Sequence, residues 1–328
     1  MTIRHFFASL AVALGVIAAF NVFLALKVDS VPKSIQRKMK SMPRIDILFL
    51  GNSLMQSGLD PEKFTAGWIN PEKAPLAFNA GLGWSSPVEH YVLAHQSIEY
   101  HPEISCLIYG FRDFQLTSPE GYSWKELEGN RSMAYSMEPS VSASLYAPGS
   151  AWEEWRFRLI GAVPALREHS QLWKYVELLR RDLQQIGMPK AKTNEFGRVA
   201  DFQTVAETDL AQFQREGEMA IARSAPFVPA IEKLIKMARE KKIRVIFVEM
   251  PVTAEHRVRY YATSSWQRYQ AYLKKKMSAS GVTYVAADDW VPETADFSDG
   301  LHLNTRGADL FSRKMATTLT NELKPKGL

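Results

Sequence analysis

The sequence predicts an α/β fold built on a doubly wound parallel sheet, and three observations carry that expectation. Short runs rich in Ile, Val, Leu and Phe alternate with longer stretches whose apolar residues repeat at helical spacing. The runs are mostly apolar along their length rather than alternating with polar residues, as strands buried on both faces are. Residues able to do chemistry stand at the ends of these runs, where open α/β sheets bind their ligands.

The elements follow in order. Ile45-Asp46-Ile47-Leu48-Phe49-Leu50 reads as the first strand, closed by Gly51, and Leu76-Ala77-Phe78-Asn79 as the second. A helical stretch from Val88 to Glu99 leads to the third strand, Ile104 to Tyr109. The strongest strand is Ile243 to Met250, ended by Pro251, with helices over about Pro226 to Lys241 and Ser264 to Ala279 on either side. Val282 to Val285 reads as the last strand. Gly307 to Met315 opens a final helix, for which Asn304 or Thr305 is a plausible cap. This alternation is what a doubly wound sheet requires.

Residues 118–223, between the third and fourth strands, are not needed by that topology. Trp152 to Leu166 and Gln171 to Ile186 read as amphipathic helices within them. Such an insertion can form a cap over the strand ends, a face for a partner, or a solvated excursion packed on the sheet.

The amino terminus is of another kind. Residues 6–26 contain no charged side chain and are long enough to cross a bilayer. No convincing small-residue cleavage site follows, so residues 1–26 read as an uncleaved signal anchor, residues 27–44 as a basic juxtamembrane linker and residues 45–328 as the α/β domain with its insertion. Lys27, Lys33, Arg37, Lys38, Lys40 and Arg44 follow the span and by themselves favour a cytoplasmic domain. Long domains translocate with less regard to charge, and an extracytoplasmic, single-pass arrangement is the preferred expectation.

A net charge of +5 is modest and partly due to that juxtamembrane cluster, and no basic repeat interleaved with aromatics points to nucleic acid. The single cysteine, Cys106, lies in an apolar run and reads as a core residue, which excludes an intrachain disulfide framework. No HExxH, clustered Cys/His pattern or phosphate-binding GxxxxGK[ST] occurs, so no metal or cofactor is expected.

Two short motifs at opposite ends carry the chemistry. Phe49-Leu50-Gly51-Asn52-Ser53-Leu54 places a serine at a strand's carboxyl end, and Asp299-Gly300-Leu301-His302 precedes the last helix. A serine, a histidine and a carboxylate three residues before it are the minimum equipment for acyl transfer through a serine ester. On one loop, Asp299 can hold the Nδ1–H of His302 while Nε2 faces Ser53. Each motif by itself also fits a plain turn, with Ser53 merely capping a helix and Asp299 forming a second turn.

In order along the chain these residues resemble the blocks of the SGNH or GDSL hydrolases: Gly51-Asn52-Ser53-Leu54, then Asn79-Ala80-Gly81, then Gly110-Phe111-Arg112-Asp113, then Asp299 to His302. The resemblance implies a flavodoxin-like three-layer α/β/α sandwich, Ser53 as nucleophile, and His302 with Asp299 as the rest of a catalytic triad. It also implies an oxyanion hole from the amides of Ser53 and Gly81 and the side chain at Arg112. That last position departs from the family's GxND pattern. Arginine can donate to an oxyanion, or can pair with Asp113 and leave two backbone donors. Asn79 and Trp84 are candidate substrate contacts, and Trp84 and Trp124 can each stack on a sugar ring or serve as half-buried packing residues. Glu249, at a strand end, is a candidate substrate contact or an ordinary salt-bridge partner.

The expected function is that of a membrane-anchored serine esterase or O-acyltransferase acting on acyl esters. Water as acceptor gives hydrolysis and a sugar hydroxyl gives transfer, and the motifs do not choose between them. Resemblance to anchored, exported SGNH proteins implies cell-envelope glycan as the setting, a cell-surface polysaccharide as substrate and a membrane-bound acyltransferase as partner. Arg112 motivates the other reading, a non-catalytic glycan-binding or scaffold domain.

Overall fold

The structure is a computed structural model that describes residues 3–27, 31–83, 85–117, 141, 145, 151–152, 155, 159, 162–167 and 209–322. The strands are β1 (Ile47–Leu50), β2 (Ala77–Asn79), β3 (Cys106–Phe111), β4 (Arg244–Glu249) and β5 (Thr283–Ala286). They form one parallel sheet in the order β2-β1-β3-β4-β5, with Leu50 opposite Tyr109 and Phe111 opposite Glu249. The order reverses between β1 and β3. Their carboxyl ends form the edge at which such sheets open a crevice.

Side-chain alternation sorts the two faces. Ile47, Phe49, Cys106, Ile108, Ile246 and Val248 point into one buried cluster with Leu54, Met55, Phe64, Phe311 and Met315. That layer is built by α3 (Ser53–Gly58), α4 (Pro61–Ala66) and the last helix, here α9 (Thr305–Glu322). The opposite face takes Leu48, Leu107, Tyr109 and Phe247, covered by α5 (Pro87–Tyr100), α7 (Pro229–Glu240) and α8 (Ser264–Ala279). This is the three-layer α/β/α sandwich. The helices begin where local chemistry allows: Asp60 caps α4 by accepting from the Glu62 and Lys63 amides, and Ser86 with Glu89 forms a capping box on α5.

The chain falls into two compact units: Met39–Tyr122 with Lys190–Leu328, which holds the sheet, and Met1–Lys38 with Ser123–Pro189. The second contains α1 (Ile3–Lys27), whose Ile3–Leu24 portion is long and apolar enough to span a membrane. Of the insertion, most lies outside the described residues, Gln171 to Ile186 and Trp124 included. Its last part is α6 (Leu210–Ala222), which packs on α8 and belongs to the sheet unit. The segment expected as a linker is helical over Val31–Ser41, here α2. Met39 is the reason at its carboxyl end: it is buried, its carbonyl accepts from His101 Nε2 at 2.9 Å, and Ser97 Oγ lies 2.7 Å from its sulfur.

Candidate active site

Gly51 ends β1 with φ of +151°, and a Cβ there would fall 2.8 Å from Met55 Cβ and 2.9 Å from the Gly110 carbonyl oxygen. Only glycine fits that turn. It delivers the chain into α3, where Asn52 accepts from the Leu54 amide and Ser53 becomes the first helical residue. Asn52, not Ser53, is therefore the cap. Among the described residues the Ser53 amide donates to no group, as expected of a first-turn N–H.

The last loop meets it from the other end of the chain. Phe297 bridges Leu303, the Ser298 amide donates to the His302 carbonyl at 2.8 Å, and the Asn304 amide donates to the Asp296 carbonyl at 2.9 Å. Asn304 caps α9 through the Arg306 and Gly307 amides. Within this closed loop Asp299 Oδ1 accepts from the Leu301 and His302 amides at 2.8 and 2.7 Å, leaving Oδ2 to meet His302 Nδ1 at 2.7 Å. His302 Nε2 then lies 2.9 Å from Ser53 Oγ, across 249 positions of sequence. Burial would raise the Asp299 carboxyl, but the hydrogen bonds from the His302 ring and from the backbone amides outweigh it and hold it below the ordinary range. An ionised Asp299 fixes the proton on Nδ1, so Nε2 offers its lone pair to the serine. Such a line can take a proton from Ser53 Oγ and return it to a leaving alcohol.

The second block is arranged differently from its expectation. The Gly81 amide donates to Asn79 Oδ1 at 2.9 Å, so it is committed to the protein and not to an oxyanion. Asn79 is equally committed: its Nδ2 donates to the Met55 and Leu59 carbonyls at 2.9 and 2.7 Å, tying down the end of α3 rather than facing substrate. What Gly81 supplies is space, since a Cβ there would fall 2.3 Å from the Gln56 amide nitrogen. Gly83 also neighbours Ser53: a Cβ built on it would sit 3.8 Å from Ser53 Cβ, and its amide donates to no described group. Trp84 and its candidate contact lie outside the described residues.

A buried relay holds this loop. Ser85 Oγ–H donates to the Leu82 carbonyl, so Oγ must accept from His90 Nε2 at 2.6 Å, and His90 Nδ1 then accepts from the Tyr109 hydroxyl at 2.7 Å. Burial pushes His90 down to about 3, so the ring is neutral throughout the working range. Its only lone pair is used by Tyr109. His90 is therefore no base for Ser85, and the relay acts as a strut between β3, α5 and the loop beside Ser53. In the sequence only Ser85 and His90, five residues apart across a helix start, hinted at it.

Arg112 also departs from expectation. Its amide donates to Gln115 Oε1 at 3.0 Å, and its Nε lies 2.7 Å from Asp113 Oδ2, an ion-pair contact whose N–H is off line for a hydrogen bond. Asp113 has φ of +52°, strained for a residue with a Cβ, and is held by His256 Nε2 at 3.3 Å and the Tyr261 hydroxyl at 3.0 Å. Burial opposes its charge, but Arg112, His256 and Tyr261 outweigh burial and keep the carboxyl below its usual range. The guanidinium thus balances Asp113 first. Glu249 is fully buried behind this cluster and bonds Gln270 Nε2 at 3.0 Å and the Tyr284 hydroxyl, so a neutral network replaces the expected salt bridge. Among the described residues no group of His, Cys, Asp and Glu could hold a metal ion.

The chain is similar to several solved hydrolases at low identity. A GDSL-like lipase from Bacteroides thetaiotaomicron is 10% identical over 94% of this chain and 98% of its own, with a TM-score of 0.35. The lipase/acylhydrolase from Enterococcus faecalis is 10% identical over 87% of this chain and 100% of its own, at 0.37. A carbohydrate acetylesterase family member from Sinorhizobium meliloti is 9% identical over 86% and 100%, at 0.34. One protein-family model matches residues 220–324. No curated protein matches the sequence.

Proposed function

We propose that this chain, of the SGNH/GDSL superfamily by its ordered blocks and its strand order, is a membrane-anchored serine esterase or O-acyltransferase. One observation carries the reading: Asp299 Oδ2, the His302 ring and Ser53 Oγ stand in a single hydrogen-bonded line at the carboxyl edge of the sheet. His302 Nε2 removes the Ser53 proton as Oγ attacks an acyl ester, Asp299 steadies the imidazolium, and the same proton leaves with the alcohol. The unengaged amides of Ser53 and Gly83 are the donors for the oxyanion, with Arg112 held off by Asp113 until an anion competes for it. The acyl-serine is then cleared by water or by a sugar hydroxyl. A cell-envelope glycan is the proposed setting, because α1 is apolar enough to anchor the domain beside such polymers. The sheet unit is proposed to face outward, against the vote of the basic residues after the span.

A second reading is a glycan-binding or scaffold domain, favoured by the engagement of Arg112 and Gly81 within the protein. Intact-mass analysis after fluorophosphonate treatment separates the two. The esterase reading expects one adduct on the full chain that disappears in Ser53→Ala. Absence of an adduct on folded protein would leave the scaffold reading in its place.

A further inference from the structure

We propose that Gln56 is a further catalytic residue of this site, its side-chain amide donating a hydrogen bond to the oxyanion; the proposal rests on the serine-ester reading of Ser53.

The position follows from α3. Ser53 and Gln56 stand three residues apart on that helix, so their side chains leave it from one face. Gly83 marks where they meet. A Cβ built on Gly83 would have Gln56 Oε1 at 2.9 Å, Ser53 Cβ at 3.8 Å and Gln56 Cδ at 4.0 Å as its nearest neighbours outside its own stretch of chain. Because residue 83 is glycine, that methyl-sized space stays open, with the carboxamide on one side and the carbon of the nucleophile on the other. A substrate oxygen that accepts from the Gly83 amide therefore borders the same space as the Gln56 carboxamide.

The carboxamide has no other engagement. It makes no hydrogen bond to a described residue, and the side chain is half-buried. A half-turn about its last bond exchanges Oε1 and Nε2 and presents an N–H where the oxygen lies. The backbone beneath it is fixed. The Gln56 amide donates to the Asn52 carbonyl at 3.0 Å, its carbonyl accepts from Asn79 Nδ2 at 3.5 Å, and a Cβ on Gly81 would fall 2.7 Å from Gln56 Cα. A donor on a rigid support, with no internal partner to give up, needs little reorganisation when charge develops on the substrate. Arg112 is the contrast, since its guanidinium is already paired with Asp113.

In the step itself Ser53 Oγ bonds to the ester carbon, the carbonyl electron pair moves onto oxygen, and His302 Nε2 takes the hydroxyl proton. Gln56 Nε2 donates to that oxygen together with the Ser53 and Gly83 amides. The pair then re-forms the carbonyl as the bond to the alcohol breaks, and the alcohol leaves with the proton from His302.

The full chain in detergent micelles tests this through two variants, Gln56→Met, which keeps the length without the donor, and Gln56→Glu, which keeps the shape and presents a carboxylate. The first readout is the rate of fluorophosphonate labelling of Ser53, followed by intact mass, because the phosphonyl oxygen needs the same donors. Labelling should slow by about 100-fold in Gln56→Met and further in Gln56→Glu, and still reach one adduct per chain. With p-nitrophenyl acetate, kcat should fall by a similar factor while KM changes little. Labelling of both variants at the wild-type rate overturns the proposal and leaves the Ser53–His302–Asp299 line standing. A raised KM with kcat unchanged also overturns it, since Gln56 would then hold the substrate and not the developing charge. Wild type that takes no adduct at Ser53 removes the serine mechanism and the proposal together.

Discussion

Single residues in this protein are set by what they bond first. Asp299 spends one oxygen on two backbone amides and the other on His302, so the loop geometry and the ring orientation are decided by one carboxylate. Glu249 shows the opposite case. Burial raises it to about 7, against the hydrogen bonds from Tyr284 and Gln270 and aided by the nearby Asp288 charge. The folded state then binds this proton more tightly than the unfolded chain, whose carboxyl titrates near 4.5. Its stabilising contribution is complete below about 4.5 and is lost as pH rises through about 7, on the order of 3 kcal/mol. Melting temperature measured across that window should fall for wild type and fall less for Glu249→Gln; equal slopes would dismiss the assignment. Glu89, also raised to about 7 by burial, acts in the same direction and should leave a residual slope in the variant. Ser53, Asp299 and His302 stood out in the sequence because such residue types at a strand end and before a helix are uncommon together, and the structure brings them into one hydrogen-bonded line. The duty of Asn79 was not legible, since the carbonyls it binds belong to residues 24 and 20 positions away.

At the scale of elements, strands and helices were readable from periodicity, and the edges moved by one to three residues. β3 runs on to Phe111 past the expected Tyr109, because β4 pairs with it through Phe111 and Glu249. α2 was read as linker because its charge masks the spacing of Ile35 and Met39, and Met39 has a partner only after folding. The strut from Tyr109 through His90 to Ser85 joins one strand, one helix and one loop, and no local pattern encodes such a connection. Tyr109→Phe leaves His90 Nδ1 buried without a donor, which should cost about 1–3 kcal/mol. If the strut positions the loop beside Ser53, ester turnover should fall several-fold with KM little changed. A destabilised variant with unaltered kcat would reduce the relay to packing.

For the whole molecule, the two units differ in the surface they expose. The sheet unit buries its apolar side chains between layers, whereas α1 leaves Phe6, Phe7, Val12 and Val16 exposed. In water such a surface aggregates, and in lipid it needs no cover. The full chain should therefore remain with membranes after an alkaline carbonate wash; release into the supernatant would count against anchoring. Ser53 and His302, 249 positions apart, meet at 2.9 Å, and the helix that follows His302 packs on the helices that follow β1. The first third of the chain thus waits for its last thirty residues. On the proposed function, the serine of a growing chain is made long before its base, and such a chain is chemically inert. A product truncated before Asp299 would then carry an ordinary serine in place of the proposed nucleophile.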